Sequence, residues 1–140
     1  MAELDWSDMP IHQPIKRDWT TQEILIEGSL GSAKTTLGLD KETDALLRWP
    51  GIPILLFRWT EDAVATKLKT AFEELLSIRE IPFTWDSRQK RYVLENGSNA
   101  FMFGLKAATD IELFNKIRGL GVCRIMGDQV EEMKRAVAQE

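Results

Sequence analysis

The stretch "ILIEGSLGSAKTT", residues 24–36, constrains this chain more than any other. An apolar run enters it, glycines loosen its middle, and Lys34-Thr35 open a pattern that suits a helix. It nearly spells the phosphate-binding loop G-x-x-x-x-G-K-[ST], with Gly28, Lys34 and Thr35 in register and Ala33 at the second glycine. Such a loop needs inward-pointing backbone N–H groups, a lysine that reaches terminal phosphates, and a hydroxyl for magnesium. Gly28, Ser29, Gly31, Ser32, Ala33, Lys34, Thr35 and Thr36 are therefore the expected phosphate cradle, at a helix start whose dipole favours anions. The methyl of Ala33 is tolerable where φ is negative and harmful where it is positive. A plain polar strand-to-helix turn with a chance lysine is the competing reading.

The rest of the chain alternates strand and helix patterns. Residues 1–20 read as a tail in which Pro10 and Pro14 block regular structure, and residues 21–140 as one partial domain. Residues 23–26 suit a short buried strand. From Lys34 a helix carries Leu37, Leu39, Ala45, Leu46 and Leu47 and stops at Pro50-Gly51. "PILLFR", residues 53–58, suits a strand buried on both faces. Thr60 is a good N-cap, with Val64, Leu68, Ala71, Phe72, Leu75 and Leu76 at helical spacing behind it. "RYVLENGSNAFMFG" reads as a β-hairpin turning on Asn96-Gly97. A short helix capped by Thr109, with Ile111, Phe114 and Ile117 on one face, precedes the strand "GVCRIMGD". Val130, Met133 and Val137 stripe a final helix. The expected fold is α/β, a P-loop three-layer αβα sandwich with a mostly parallel central sheet, incomplete at the C-terminus, plus the hairpin.

Composition removes several function classes. A net charge of −4 over 140 residues provides no basic field for wrapping nucleic acid, which weakens a stand-alone DNA-binding module but does not exclude a motor that touches DNA through loops. His12 is the only histidine, which leaves almost no material for a histidine zinc site or a Ser-His-Asp triad. The single Cys123, in an apolar stretch, reads as a small buried hydrophobe. The longest apolar run, residues 52–57, is far too short to span a membrane. The acidic first residues resemble neither a signal nor a transit peptide, so a reducing, cytoplasmic compartment is expected.

Asp128 follows a mostly apolar strand, where a Walker B aspartate would hold magnesium through water. A catalytic glutamate normally comes next, but this chain has Gln129. A carboxamide orients water without taking its proton. Glu131 and Glu132 are the alternative bases. On the competing reading, Asp128 is only a helix N-cap.

Together "ILIEGSLGSAKTT", "ILLFRWTEDAVATKLKTAFEELL", "LENGSNAFMFGL" and "KIRGLGVCRIMGDQVEEM" resemble the N-terminal ATPase region of the large terminase subunit of tailed phages. The resemblance covers residues 23–133. It implies ATP hydrolysis with Mg2+, coupled to double-stranded DNA translocation into a prohead in the host cytoplasm. It further implies a homo-oligomeric ring, a portal and a small terminase subunit as partners, and no membrane. By position, Lys34 and Thr35 would hold phosphate and magnesium, and Asp128 magnesium. Arg118 would reach a neighbour's ATP, Arg58 would lie near the γ-phosphate, and Gln13 would contact adenine; the competing readings are a surface residue on a glycine turn for Arg118, a plain salt bridge for Arg58 and a solvated glutamine for Gln13. The family inserts a further strand between the loop strand and the acidic strand, from sequence beyond residue 140, so a truncated or partial subunit is expected. Another P-loop ATPase or kinase, or a non-catalytic remnant, are the alternatives.

Overall fold

The computed structural model describes residues 3–5, 12–20, 34–106 and 110–128. The elements run α1 (His12–Arg17), α2 (Lys34–Arg48), β1 (Pro53–Arg58), α3 (Glu61–Ala63), a π-turn (Val64–Leu68), α4 (Lys69–Ile78), β2 (Phe83–Asp86), β3 (Arg91–Leu94), β4 (Asn99–Gly104), α5 (Asp110–Leu120) and β5 (Arg124–Gly127). The fold is α/β. One open mixed sheet has the order β2-β3-β4-β1-β5, with β1 parallel to both β4 and β5 and antiparallel pairing among β2, β3 and β4.

β1 is buried on both faces because its period-two side chains feed two separate cores. Ile54 and Leu56 join Leu39, Leu46, Leu68, Phe72 and Leu76 under α2 and α4. Leu55 and Phe57 join Phe101, Phe103, Ile117 and Leu120 on the α5 side. Each fully buried aliphatic side chain contributes about 1.5–3 kcal/mol. The path from β1 to β4 and the path from β4 to β5 step in opposite directions across the sheet. Because parallel crossovers are right-handed, opposite steps put α4 and α5 on opposite faces.

Helix termini follow the local chemistry. Thr60 Oγ1 accepts from Ala63 N at 3.0 Å, and Glu61 and Asp62 complement the first-turn dipole. A regular helix was expected onward from Thr60. Instead the chain makes one π-turn, in which Lys69 N–H donates to the Val64 carbonyl. Within it Thr66 Oγ1 donates to the Asp62 carbonyl at 2.8 Å, competing for an acceptor of the regular ladder. At the other end of α4, Glu80 takes φ 58° while Ile81 N–H reaches back to Leu76 O at 2.9 Å, a Schellman closure.

Several expectations are corrected. Pro14 does not prevent helix formation, since it is the third residue of α1, where backbone N–H groups have no intrahelical acceptor to lose. The hairpin turn has three residues, not two: Gly97 N–H donates to Leu94 O, Leu94 N–H to Ser98 O, and Gly97 takes φ 86°. This is a type I turn closed by a glycine bulge. Strand β2, which pairs with β3, was not anticipated. Ile111 is 75% exposed, so of the proposed stripe on α5 Ile117 reaches the core and Ile111 does not. Cys123 is exposed, because it lies in the connection ahead of β5 rather than within the sheet. The expected strand at residues 23–26 and the final helix lie outside the described residues.

Candidate functional site

Helix α2 lies along β5 in the opposite direction, matched at three points. Thr35 Oγ1 donates to Asp128 Oδ1 at 2.8 Å. Gly38 faces Met126, whose Cε lies 2.6 Å from where a glycine Cβ would stand. Glu42 accepts two bonds from the Arg124 guanidinium, both 2.8 Å. Positions 35, 38 and 42 share one helical face, and strand positions 128, 126 and 124 share one sheet face, so the two periodicities run in step. Glu42 also keeps Arg124 protonated beyond its usual range, chiefly through that hydrogen bond.

Asp128 sits at the carboxyl end of β5, where open α/β sheets bind ligands. Its N–H donates to Phe57 O at 2.9 Å, continuing the parallel ladder and bringing it beside Arg58 at the end of β1. Arg58 Nε stands 3.4 Å from Asp128 Oδ2. Both residues are nearly buried, at 9% and 8% exposure. Lys34 is the first residue of α2, and Thr36, two residues on, is exposed. One hydroxyl and one carboxylate, both hard oxygen donors, thus meet next to a lysine and an arginine. Among the described residues no three His, Cys, Asp or Glu side chains converge. The Thr35–Asp128 oxygen pair fits an ion such as magnesium that completes its shell with phosphate and water.

The N-terminal segment is fastened to the far side of α2. Lys16 bridges Asp40 at 2.7 Å and Asp44 at 2.8 Å, and Arg79 bridges the same two carboxylates at 2.9 and 2.8 Å. The four side chains close a ring of alternating charge. Lys41 donates to the carbonyls of Ile15 and Asp18. Burial lowers its pKa, and the Arg124 charge adds to that effect. Trp19 packs edge-on against Trp49 with ring centroids 5.4 Å apart.

Of the residues singled out from sequence, Thr35, Asp128 and Arg58 come together, with Lys34 one residue away on α2. Arg118 does not join them. It is exposed in the last turn of α5, at the end of the sheet from which β5 begins, so the length of β5 separates it from Asp128. The backbone of Gln13 lies in α1; its side chain is outside the described residues. Gly28, Ser29, Gly31, Ser32, Ala33, Gln129, Glu131 and Glu132 also lie outside them. Sequence reasoning missed Gly38 and Glu42. The signal for Glu42 was Arg124 itself, a charge within an apolar strand that calls for a partner.

Among protein-family models, curated proteins and solved structures, nothing matches this chain. Among the described residues, no helix is long and apolar enough to cross a membrane.

Proposed function

We propose that this chain binds a nucleoside triphosphate with magnesium at the start of α2, as the ATP-binding part of a viral DNA-packaging motor of the terminase kind. The carrying observation is the Thr35–Asp128 hydrogen bond, which joins the two suspected motifs across 93 residues of chain. A chance lysine-threonine turn has no reason to meet the acidic end of a parallel strand. The arrangement of α2, β1 and β5 supports a P-loop sandwich as the finer description of the fold.

Each residue then has a distinct task. Lys34, at the helix start, attracts the terminal phosphates, helped by the α2 dipole. Thr35 and Asp128 hold the metal, which when bound neutralises phosphate charge. Gln129 orients the attacking water, and Glu131 or Glu132 takes its proton. Arg118, at the opposite end of β5, serves a neighbouring subunit in a ring. Double-stranded DNA, a portal and a small terminase subunit are the partners on this reading, and Gln13 contacts adenine.

Calorimetry tests the nucleotide site. Lys34→Ala is expected to abolish binding of ATP-magnesium by the 140-residue chain. Equal affinity in wild type and variant would remove the proposal.

A further inference from the structure

We propose that Arg58 is an exchangeable counter-charge for Asp128, which a divalent cation must displace, so that metal and nucleotide bind cooperatively. This rests on the reading that Thr35 and Asp128 receive the metal.

Both carboxylate oxygens of Asp128 are engaged, Oδ1 by the Thr35 hydroxyl at 2.8 Å and Oδ2 by Arg58 Nε at 3.4 Å. A carboxylate at 8% exposure needs a compensating charge, since an uncompensated buried ion is strongly destabilising. The backbone ladder from Asp128 N to Phe57 O sets the two residues side by side, so the pairing is built into the sheet. Its geometry differs from that of the neighbouring pair. Arg124 grips Glu42 with two bonds of 2.8 Å each, whereas Arg58 meets Asp128 through one longer contact. The first geometry suits a permanent clasp and the second a partner that can be exchanged.

A divalent cation reaching Asp128 meets the guanidinium at the same carboxylate. Like charges a few ångströms apart in a partly buried site repel strongly. Metal alone therefore binds poorly. Phosphate groups beside Lys34 supply negative charge that receives the displaced guanidinium, and the penalty falls. By linkage, nucleotide tightens metal by the same factor that metal tightens nucleotide, and Arg58 sets part of that factor.

The test measures manganese binding to the full chain by the paramagnetic resonance of free Mn2+, with and without ADP. Arg58→Gln is expected to tighten Mn2+ alone by about tenfold or more, the scale of one neighbouring charge on a carboxylate. It is also expected to shrink the enhancement produced by ADP. Arg58→Lys, which keeps the charge, should stay within about threefold of wild type, the smaller change expected when charge is retained. A second readout needs no substitution in the measured protein. The 15N side-chain resonance of Arg58, assigned by its loss in Arg58→Lys, should shift as Mg2+ saturates the wild-type chain. Unchanged Mn2+ affinity in Arg58→Gln, or a resonance that does not move, overturns the proposal. Asp128→Asn separates the two levels. If it abolishes Mn2+ binding while Arg58→Gln has no effect, only the counter-charge idea fails. If it leaves Mn2+ binding intact, the metal site and this inference fall together.

Discussion

Replacing Arg79 by methionine should cost this fold much of its stability. Arg79 is 2% exposed and Asp40 is 0% exposed, and the guanidinium bridges Asp40 at 2.9 Å and Asp44 at 2.8 Å. With Lys16 the ring holds two cations against two carboxylates. Methionine fills similar space, so the cavity contribution is small and the loss is mainly electrostatic. Within the described ring, two carboxylates then face the Lys16 ammonium. Removing one member of a buried ionic group costs about 3–5 kcal/mol. Against a typical domain stability of about 5–15 kcal/mol, that is a large share. Urea unfolding followed by circular dichroism reads it directly. With a slope of about 2 kcal/mol per molar, the midpoint falls by about 2 M. Lys16→Met is the control. Lys16 is the more accessible cation, and its loss should cost only about 1–2 kcal/mol, because water can replace part of what it supplies. A cost below about 1 kcal/mol for Arg79→Met, or one no larger than for Lys16→Met, would refute the assignment of the ring as a structural anchor of α1, α2 and the end of α4.

Gly38→Val should push α2 away from Met126 and lengthen the Thr35–Asp128 contact, weakening ATP-magnesium binding about tenfold or more, given the sensitivity of such sites to ångström-scale displacement; unchanged binding by calorimetry counts against the three-point registration. Glu80→Gly should stabilise the chain by about 1 kcal/mol, because Glu80 holds φ 58° and glycine removes that steric cost; a lower thermal midpoint would contradict it. The Asp86 carboxyl is held below its usual pKa, first by the Gln89 N–H and also by Arg88 N–H and the Arg91 side chain. Its stabilisation is therefore present above the unfolded carboxylate value of about 3.9 and is lost as pH falls through the lower folded value; a carboxyl 13C titration placing Asp86 at or above the unfolded value would refute this. Lys41 gives a slope of the same sign in the alkaline range: its depressed pKa means stability rises with pH between the folded value and the unfolded value of 10.5, and Lys41→Met should flatten that rise in pH-dependent urea unfolding.

The sequence by itself determined the elements whose signal is local. "PILLFR" is a strand because six residues of nearly unbroken apolar character can be satisfied only between two layers, and β1 occupies those residues. The Thr60 cap, the helical stripe through Leu76 and the stop at Pro50-Gly51 are likewise short-range chemistry. Local patterns also marked Thr35 and Asp128, and the motif reading gave both to one magnesium ion. Only the tertiary structure decided that they touch. That contact depends on the depth at which α2 settles on β5, and Gly38 sets the depth through the absence of a side chain, which no pattern of apolar residues reports. Pairing across the sheet decided the rest. Arg58 meets Asp128 because β1 and β5 are parallel neighbours in a register written by backbone hydrogen bonds. Ile111 and Cys123, apolar by composition, are exposed because the fold places no described layer over them. Burial is a property of what packs against a residue, and that is fixed by parts of the chain far from it in sequence.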